Sequence, residues 1–219
     1  LRSDPACCQR KLSLKMYRVV PMSKRVGILE WVDNTMPLKA LIEDEIAKAT
    51  AQPKVDLLKH DSVQLHMQLL TKCQAANTKQ HHWYLRMYQK IPREGVLEVM
   101  QQQWAMLPGH FLSRGIRALA PSAEAYFAIR NRFARSLSTF NICSYVLGIG
   151  DRHLENFLLD FSDGQVIGID FGHAFGSATE ILPVPELMPF RLTRQMTELI
   201  RPMGVDGVLK HSMVHVMQA

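Results

Sequence analysis

The sequence is poor in cysteine and contains no long apolar run. Only four cysteines occur in 219 residues and no two form a C-x-x-C pair, so neither a disulfide framework nor a zinc cage is predicted, and a reducing compartment fits best. No apolar stretch reaches the roughly 18 residues that span a bilayer, which argues against a membrane helix. The chain begins at Leu1 without a signal-like segment, and we expect it to be a piece of a longer protein. The cysteines are Cys7, Cys8, Cys73 and Cys143.

Charge is distributed unevenly along the chain. The net charge is +6; residues 1–100 hold 16 lysines and arginines against 10 acidic residues, whereas residues 101–219 hold 10 of each. The basic residues are scattered rather than clustered with aromatics, which is more typical of a solvated surface than of a nucleic-acid-binding face. With 47% hydrophobic residues, the chain can bury a globular core.

The first part of the chain predicts two strands followed by a helix. Residues 16–22 and 27–32 are β-branched and aromatic runs separated by a Ser-Lys-Arg turn, which is typical of neighbouring strands. Asn34 or Thr35 is then a candidate N-cap for a helix with Pro37 in its first turn. The apolar face of this helix would comprise Leu38, Leu41, Ile42 and Ile46.

A longer helix is predicted from Ser122 to Leu147, because apolar residues recur there at spacings of three and four. Before it, between residues 52 and 120, prolines divide the pattern into several helices, and polar residues 77–82 predict a loop. The apolar face of the long helix comprises Tyr126, Ile129, Phe133, Leu137 and Phe140.

Six of the twelve glycines lie between residues 148 and 176, which indicates backbone with unusual dihedral angles or close to a ligand. Inside this stretch, two apolar runs at residues 157–161 and 165–169 flank Ser162-Asp163-Gly164. Asp-Gly between apolar runs predicts a β-hairpin.

Polar residues at both ends of this hairpin are the candidates for chemistry. Asp151, His153 and Asn156 precede it and Asp170 follows it, so the hairpin should bring two carboxylates, an imidazole and a carboxamide together. Such a set supplies a base and oxygen ligands for Mg²⁺. The five-position step from Asp151 to Asn156, followed by Asp170-Phe-Gly, matches the phosphoryl-transfer template of protein kinases, although the order is Asp-Arg-His instead of His-Arg-Asp.

Other interpretations of these residues are weaker. Neither a dinucleotide-binding fingerprint nor a P-loop occurs in the sequence. The structural alternative is that Asp151 and Asp170 cap turns while His153 is a partly buried histidine. Any one of these residues would fit that alternative, but the full set at this spacing favours catalysis.

The segments 148–156 and 169–176 together resemble the phosphatidylinositol 3-kinase-related protein kinases. They read Gly-Ile-Gly-Asp-Arg-His-Leu-Glu-Asn and Ile-Asp-Phe-Gly-His-Ala-Phe-Gly. The upstream segments 17–22 and 28–31 are similar to a strand and the hinge of the same family, so the resemblance covers nearly the whole chain.

The resemblance implies an α+β, protein-kinase-like bilobal fold with a truncated N-lobe of few strands and a mostly helical C-lobe. Residues 1–32 would be the remnant of the N-lobe and the hinge, and residues 33–219 the C-lobe. The C-lobe would contain a catalytic loop at 148–156, a metal-binding motif at 170–172 and an activation segment at 170–194.

The resemblance also implies roles for individual residues. Trp31 would stack on the adenine of ATP, and the backbone of residues 30–32 would bond the adenine edge. Asn156 and Asp170 would hold Mg²⁺ on the ATP phosphates. Asp151 would orient or deprotonate the substrate hydroxyl, assisted by His153; the sequence leaves open which of the two is the base. The nucleotide-binding residues would be Tyr17, Glu30, Trp31, Val32, Leu158 and Ile169.

Two positions depart from the family pattern, because Glu155 and Leu158 stand where Asn and Met are expected. Glu155 lies near the metal site and is expected to affect metal affinity. Leu158 should be tolerated, since Leu and Met have nearly the same volume.

The elements that hold the ATP phosphates in a kinase are missing from the sequence. No glycine precedes Gly27, and none of Lys11, Lys15 and Lys24 follows a glycine-rich loop. We therefore expect the chain to be inactive by itself.

The activation segment favours a protein substrate over a lipid. From Phe171 to Phe190 there is no Lys or Arg, and Glu180 and Glu186 add negative charge, so an anionic phosphoinositide headgroup is disfavoured. The leading hypothesis is a serine/threonine protein kinase; the alternatives are a phosphoinositide lipid kinase and a noncatalytic interaction fragment. By resemblance, a Gln following the target Ser or Thr would be read by Val184, Pro185, Glu186 and Leu187.

The run from residue 175 to residue 195 is most similar to family members that act at DNA double-strand breaks. This similarity implies a nuclear protein of DNA repair by non-homologous end joining, which uses ATP and Mg²⁺ to phosphorylate protein substrates. DNA and a DNA-end-binding heterodimer would contact regions outside this chain, and no membrane contact is expected.

Overall fold

The computed structural model describes residues 1–50, 64–65, 67–68, 91–182, 186 and 188–219 of the chain. Short strands lie near the start and in the hairpin after residue 156, and helices make up most of the rest. In chain order the elements are α1 (Pro5–Gln9), β1 (Val19–Pro21), β2 (Gly27–Leu29), β3 (Thr35–Pro37), α2 (Leu38–Thr50), α3 (Arg93–Met106), α4 (Phe111–Leu119), α5 (Ala123–Leu147), β4 (Phe157–Asp160), β5 (Val166–Gly168), α6 (Ala178–Ile181), α7 (Arg194–Leu199), a 3₁₀ turn (Gly204–Asp206) and α8 (Val208–Gln218).

The long helix α5 is the centre of the hydrophobic core. Ser122 caps its first turn by accepting a hydrogen bond from the N–H of Ala125, and the helix ends at Gly148, whose φ of 58° is the left-handed conformation that glycine adopts without strain. The predicted helix and its apolar face are confirmed. Three of the five predicted side chains, Phe133, Leu137 and Phe140, are buried, and the other two are partly buried against the same core.

The strands form two antiparallel sheets. The two neighbouring strands predicted in the first segment are confirmed, since β1 and β2 form an antiparallel pair with Val20 opposite Ile28. The second sheet has the order β3-β4-β5, and its β4–β5 pair is the predicted hairpin, with Leu158 opposite Ile167. The prediction that residues 34–37 open a helix is wrong. Residues 35–37 form a strand that pairs with β4, and α2 begins only at Leu38. Pairing with this distant strand provides hydrogen-bond partners for the backbone of residues 35–37.

Helices surround α5 and the three-stranded sheet. α2 packs against α4 with its four predicted apolar residues buried, α4 contacts α7, and α8 lies along α5. The short α1 packs on α8, where Cys7 and Leu12 form a small cluster with Ile142 and Val216. No helix in the described part of the chain is both long and apolar enough to cross a membrane. The loop predicted at residues 77–82 lies outside the described residues.

One ion pair ties the segment before β1 to the hairpin. The Lys15 ammonium pairs with the buried carboxylate of Asp160, which also accepts hydrogen bonds from the N–H and hydroxyl of Ser162. Burial would raise the pKa of Asp160, but the hydrogen bonds from Lys15 and Ser162 outweigh it and hold the pKa below its ordinary value. In this structure Lys15 therefore stabilises the fold through its ion pair with Asp160.

Candidate active site

The two polar loops at the ends of the β4–β5 hairpin are joined by backbone hydrogen bonds. The N–H of Gly150 donates to the carbonyl of His173 at 2.8 Å, and Phe175 and Gly176 donate to the carbonyls of Leu147 and Gly148, each at 2.9 Å. The segment after Asp170 thus runs back alongside the segment before Asp151. This pairing places the Asp-Arg-His and Asp-Phe-Gly motifs at one site.

The peptide groups of Asp151 are held on both sides. Its carbonyl accepts a hydrogen bond of 2.9 Å from the side-chain amide of Asn156, and its N–H donates to the Glu186 carboxylate at 2.5 Å. Its φ of 57° is left-handed, a conformation that a non-glycine residue keeps only where its surroundings impose it. The Asp151 carboxylate has no hydrogen bond or ion pair with any described residue. It is therefore available to accept a proton from a substrate.

Arg152 joins the loop at residues 148–156 to the Asp170-Phe-Gly motif. Its side chain is only 2% exposed, and its guanidinium donates to the carbonyls of Gly150 and Ile169 at 2.8 Å each and to the carbonyl of Asp170. The guanidinium also lies over the ring of Phe171, 5.4 Å from its centroid. Burial lowers the pKa of Arg152, and nearby carboxylates oppose that shift. One side chain thus fixes the distance between the two motifs.

Asn156 and Asp170 present oxygen atoms suited to a hard cation. Asn156 is 5% exposed, and because its amide nitrogen is used by the Asp151 carbonyl, its Oδ1 is the atom left for a ligand. Asp170 is exposed with a φ of 56°, and one carboxylate oxygen accepts from the N–H of Gly172 at 3.2 Å. In the described residues no three His, Cys, Asp or Glu side chains cluster as a metal cage. A carboxylate plus an amide oxygen is instead the kind of partial donor set that Mg²⁺ shares with phosphates.

His153 belongs to a small charged cluster on the exposed side of the site. Its Nδ1 lies 3.7 Å from a carboxylate oxygen of Glu155, an ion pair that forms when the imidazole is protonated. The Lys39 ammonium, from α2, binds the other carboxylate oxygen, and this hydrogen bond raises the pKa of Lys39. Glu155 thus contacts a lysine and a predicted catalytic residue.

The residues predicted to bind the nucleotide lie around the β1–β2 hairpin and the β4–β5 sheet. Trp31 is 83% exposed, so its indole face is open to a ligand. Glu30 is tied to Arg18, since its N–H donates to the Arg18 carbonyl at 2.9 Å and its carboxylate accepts from the Arg18 N–H at 2.7 Å. The N–H of Val32 has no hydrogen-bond partner within the described residues, which suits a hinge donor.

Tyr17 and Ile169 are both neighbours of Asp170. Burial raises the pKa of the Tyr17 hydroxyl, and the charges of Arg152 and Asp170 act on it in opposite directions, so Tyr17 lies near both. Ile169 directly precedes Asp170, and its N–H donates to the carbonyl of Asn156 at 3.1 Å. Leu158, half-buried in β4, lies two residues after Asn156.

Three of the four residues predicted to read the substrate, Val184, Pro185 and Leu187, lie outside the described residues. The fourth, Glu186, is described, and its carboxylate accepts from the backbone N–H groups of Asp151 and Arg152. Sequence reasoning missed both this contact and the clamp by Arg152. The only available signal was the position of Arg152 itself, between two predicted catalytic residues.

Comparisons with known proteins identify the class that this fold and site define. The family model for phosphatidylinositol 3- and 4-kinase matches residues 1–219, and the chain belongs to that family. The "FAT and kinase domain of CtTel1" superposes with a TM-score of 0.71 at 26% identity, covering 100% of this chain and 14% of that chain. The predicted α+β, protein-kinase-like fold is confirmed.

Individual relatives are protein kinases by name. The DNA-dependent protein kinase catalytic subunit of Dictyostelium discoideum is 44% identical over 224 residues and that of Mus musculus is 42% identical, each match covering 100% of this chain and 5% of the relative. The serine/threonine-protein kinase mTor of Drosophila melanogaster is 32% identical, with 99% of this chain and 8% of the relative covered. The predicted resemblance to the kinase-related branch is confirmed, and the chain spans a small part of these relatives.

Proposed function

We propose that this chain carries catalytic machinery of an ATP-dependent serine/threonine protein kinase. The observation that supports the proposal most strongly is the clamp formed by Arg152. It bonds the carbonyls of Gly150, Ile169 and Asp170, and so ties the loop that carries Asp151 and Asn156 to the segment that begins at Asp170. Catalysis of phosphoryl transfer depends mainly on such positioning and on charge stabilisation.

Each residue then has a role that follows from its contacts. Asp151, whose peptide is fixed on both sides, accepts the proton of the substrate hydroxyl or orients that hydroxyl. His153, exposed beside it, assists in the proton transfer or stabilises negative charge on the transferred group. Asn156 Oδ1 and the Asp170 carboxylate would hold Mg²⁺, which neutralises charge on the ATP phosphates when bound. Trp31 offers its exposed face to the adenine.

The charge of the activation segment and the names of the relatives both favour a protein substrate. The segment from Phe171 to Phe190 contains no cation that could bind a phosphorylated headgroup. The curated relatives described above are named as protein kinases. The description of the matching family, phosphatidylinositol 3- and 4-kinase, makes a lipid kinase the second candidate.

The finer parts of the proposal rest on the similarity to DNA-dependent protein kinase catalytic subunits. The target would be a Ser or Thr followed by Gln, read by the segment from residue 184 to residue 187. The protein would act in the nucleus in the repair of DNA double-strand breaks. DNA and a DNA-end-binding heterodimer would bind outside this chain.

The test is a substrate comparison with the full-length protein, Mg²⁺ and ATP. We expect phosphorylation of a peptide containing Ser-Gln, weaker transfer to the matched Ser-Ala peptide and none to phosphoinositide vesicles. Asp170→Ala should abolish all transfer and serves as the control for a contaminating kinase. Transfer to lipid without transfer to peptide would overturn the proposal in favour of the lipid kinase, and no transfer to either would favour a noncatalytic role.

A further inference from the structure

The carboxylate of Glu186 binds two successive backbone amides of the catalytic loop. One oxygen accepts from the N–H of Asp151 at 2.5 Å and the other from the N–H of Arg152 at 3.1 Å. The two segments are 35 residues apart in sequence, and Glu186 is half-buried. A charged acceptor gives stronger hydrogen bonds than a neutral one, so this contact is a firm link between the activation segment and the catalytic loop.

The link acts on a residue with an unfavourable backbone conformation. Asp151 has a φ of 57°, which costs conformational energy for any residue except glycine. Its carbonyl is held by Asn156 and its N–H by Glu186. Because these two contacts lie on opposite sides of Asp151, together they set the direction of its side chain. Removal of either should let Asp151 relax toward a more common conformation.

The close approach of Glu186 requires a glycine at position 150. A Cβ atom at this position would lie 2.9 Å from Oε2 of Glu186 and 2.1 Å from the Cβ of Ala178 in α6. Both distances are too short for ordinary contact. An alanine at position 150 would therefore push the activation segment away from the loop.

Arg152 does not compete for the Glu186 carboxylate. Its guanidinium hydrogen bonds go to backbone carbonyls, and Glu186 meets Arg152 through the backbone N–H. The positive charge still lies close enough to interact favourably with Glu186. The acidic residue therefore sits beside a buried cation that offsets the cost of its own partial burial.

We propose that Glu186 is a positioning residue for Asp151, through which the activation segment holds the catalytic carboxylate in its working orientation. This proposal rests on the proposed function, since it assigns Asp151 to proton transfer. Within the segment 184–187 proposed to read the substrate, it assigns Glu186 to the catalytic loop instead, because both of its carboxylate oxygens accept from backbone N–H groups of that loop. Loss of the Glu186 carboxylate should therefore lower turnover and leave nucleotide binding nearly unchanged.

The test compares Glu186→Gln with wild type in the full-length protein. Glutamine has the same shape, but its NH₂ group would face one of the two N–H donors, so one hydrogen bond is lost. We expect kcat for the Ser-Gln peptide to fall about 10- to 100-fold, in line with a small misplacement of a catalytic group, while KM for ATP changes less than threefold. The matched control is Glu98→Gln, an exposed acidic residue on α3, which should leave both parameters unchanged.

Two further measurements separate positioning from a general structural role. Hydrogen exchange should accelerate at the amides of Asp151 and Arg152 in Glu186→Gln and in Gly150→Ala, with little change in the core helix α5. In an Asp151→Asn background, Glu186→Gln should cost no further turnover, because the residue that it positions is already inactive.

These readouts also keep the two proposals apart. Wild-type protein that phosphorylates neither peptide nor lipid would refute the proposed function and, with it, the role given to Asp151. In active protein, unchanged turnover in Glu186→Gln would overturn the positioning role. So would a loss of turnover without faster exchange at Asp151 and Arg152, or a loss that is undiminished in the Asp151→Asn background.

Discussion

Replacement of Arg152 by Met should separate the two motifs of the site while nearly preserving side-chain volume. The change removes three hydrogen bonds to the carbonyls of Gly150, Ile169 and Asp170, and a contact with the Phe171 ring. Hydrogen bonds to a charged group contribute about 1.5–3 kcal/mol each, and disruption of a buried charged network typically costs about 3–5 kcal/mol. Each 1.4 kcal/mol is a factor of about ten, so local opening should become at least about 100-fold more frequent. Turnover should fall by a similar factor, since small displacements of catalytic groups have effects of that size.

Hydrogen exchange and peptide phosphorylation of the full-length protein together check this prediction. The informative amides are those of Gly150 and Ile169, whose hydrogen bonds join the two loops. The matched control is Arg132→Met. Arg132 is exposed on α5, and among the described residues its side chain makes a single hydrogen bond, of 3.4 Å to the Asp163 carbonyl, so its loss should change stability by less than about 0.5 kcal/mol. If Arg152→Met behaved like this control in both assays, the clamp would have no role in the site.

Three other substitutions test separate parts of the structure. Asp151→Asn should lower kcat by roughly 10² to 10⁴ while ATP affinity, measured by calorimetry, stays near wild type; equal losses in both would contradict its role in proton transfer. Trp31→Ala should raise KM for ATP about 5- to 100-fold, because stacking of a base on an aromatic ring is worth about 1–3 kcal/mol, whereas Trp31→Phe should retain most of the affinity. Asp160 has a depressed pKa, so its contribution to stability is present above the unfolded-state value of about 3.9 and is lost as the pH falls through the lower folded-state value. Denaturant melts should therefore show a smaller loss of stability below about pH 4 in Asp160→Asn than in wild type; identical pH profiles would contradict the Lys15 ion pair.

Local patterns in the sequence were sufficient to predict the longest helix and the central hairpin of the fold. The spacing of Phe133, Leu137 and Phe140 predicted α5, and Asp-Gly between apolar runs predicted the β4–β5 hairpin. The strand β3 was missed because its signal is not local. Three residues carry little pattern, Pro37 favours a first helical turn, and the pairing partner Leu159 lies more than 120 positions away. Tertiary pairing decided the conformation there.

The candidate site also contains residues that the sequence could predict and contacts that it could not. Asp151, Asn156 and Asp170 could be singled out because carboxylates and amides at a fixed spacing indicate a particular chemistry. The contacts of Arg152 and Glu186 could not, because their partners are backbone carbonyls and N–H groups, which every residue provides. Which backbone groups meet a given side chain depends on the turn at Asp151 and on the return of the segment after Asp170, and neither is visible in residue types.

The charges around Arg152 are consistent with the proposed binding of a divalent cation. Three carboxylates, those of Asp151, Asp170 and Glu186, act on one buried guanidinium, which leaves an excess of two negative charges. Glu186 is committed to backbone N–H groups, and Arg152 binds Asp170 through its carbonyl and not through its carboxylate. The excess therefore resides on Asp151 and Asp170, the proposed base and the proposed metal ligand. Asp170 would hold Mg²⁺, and that ion would neutralise this excess and reduce the repulsion between Asp151 and the phosphates of ATP.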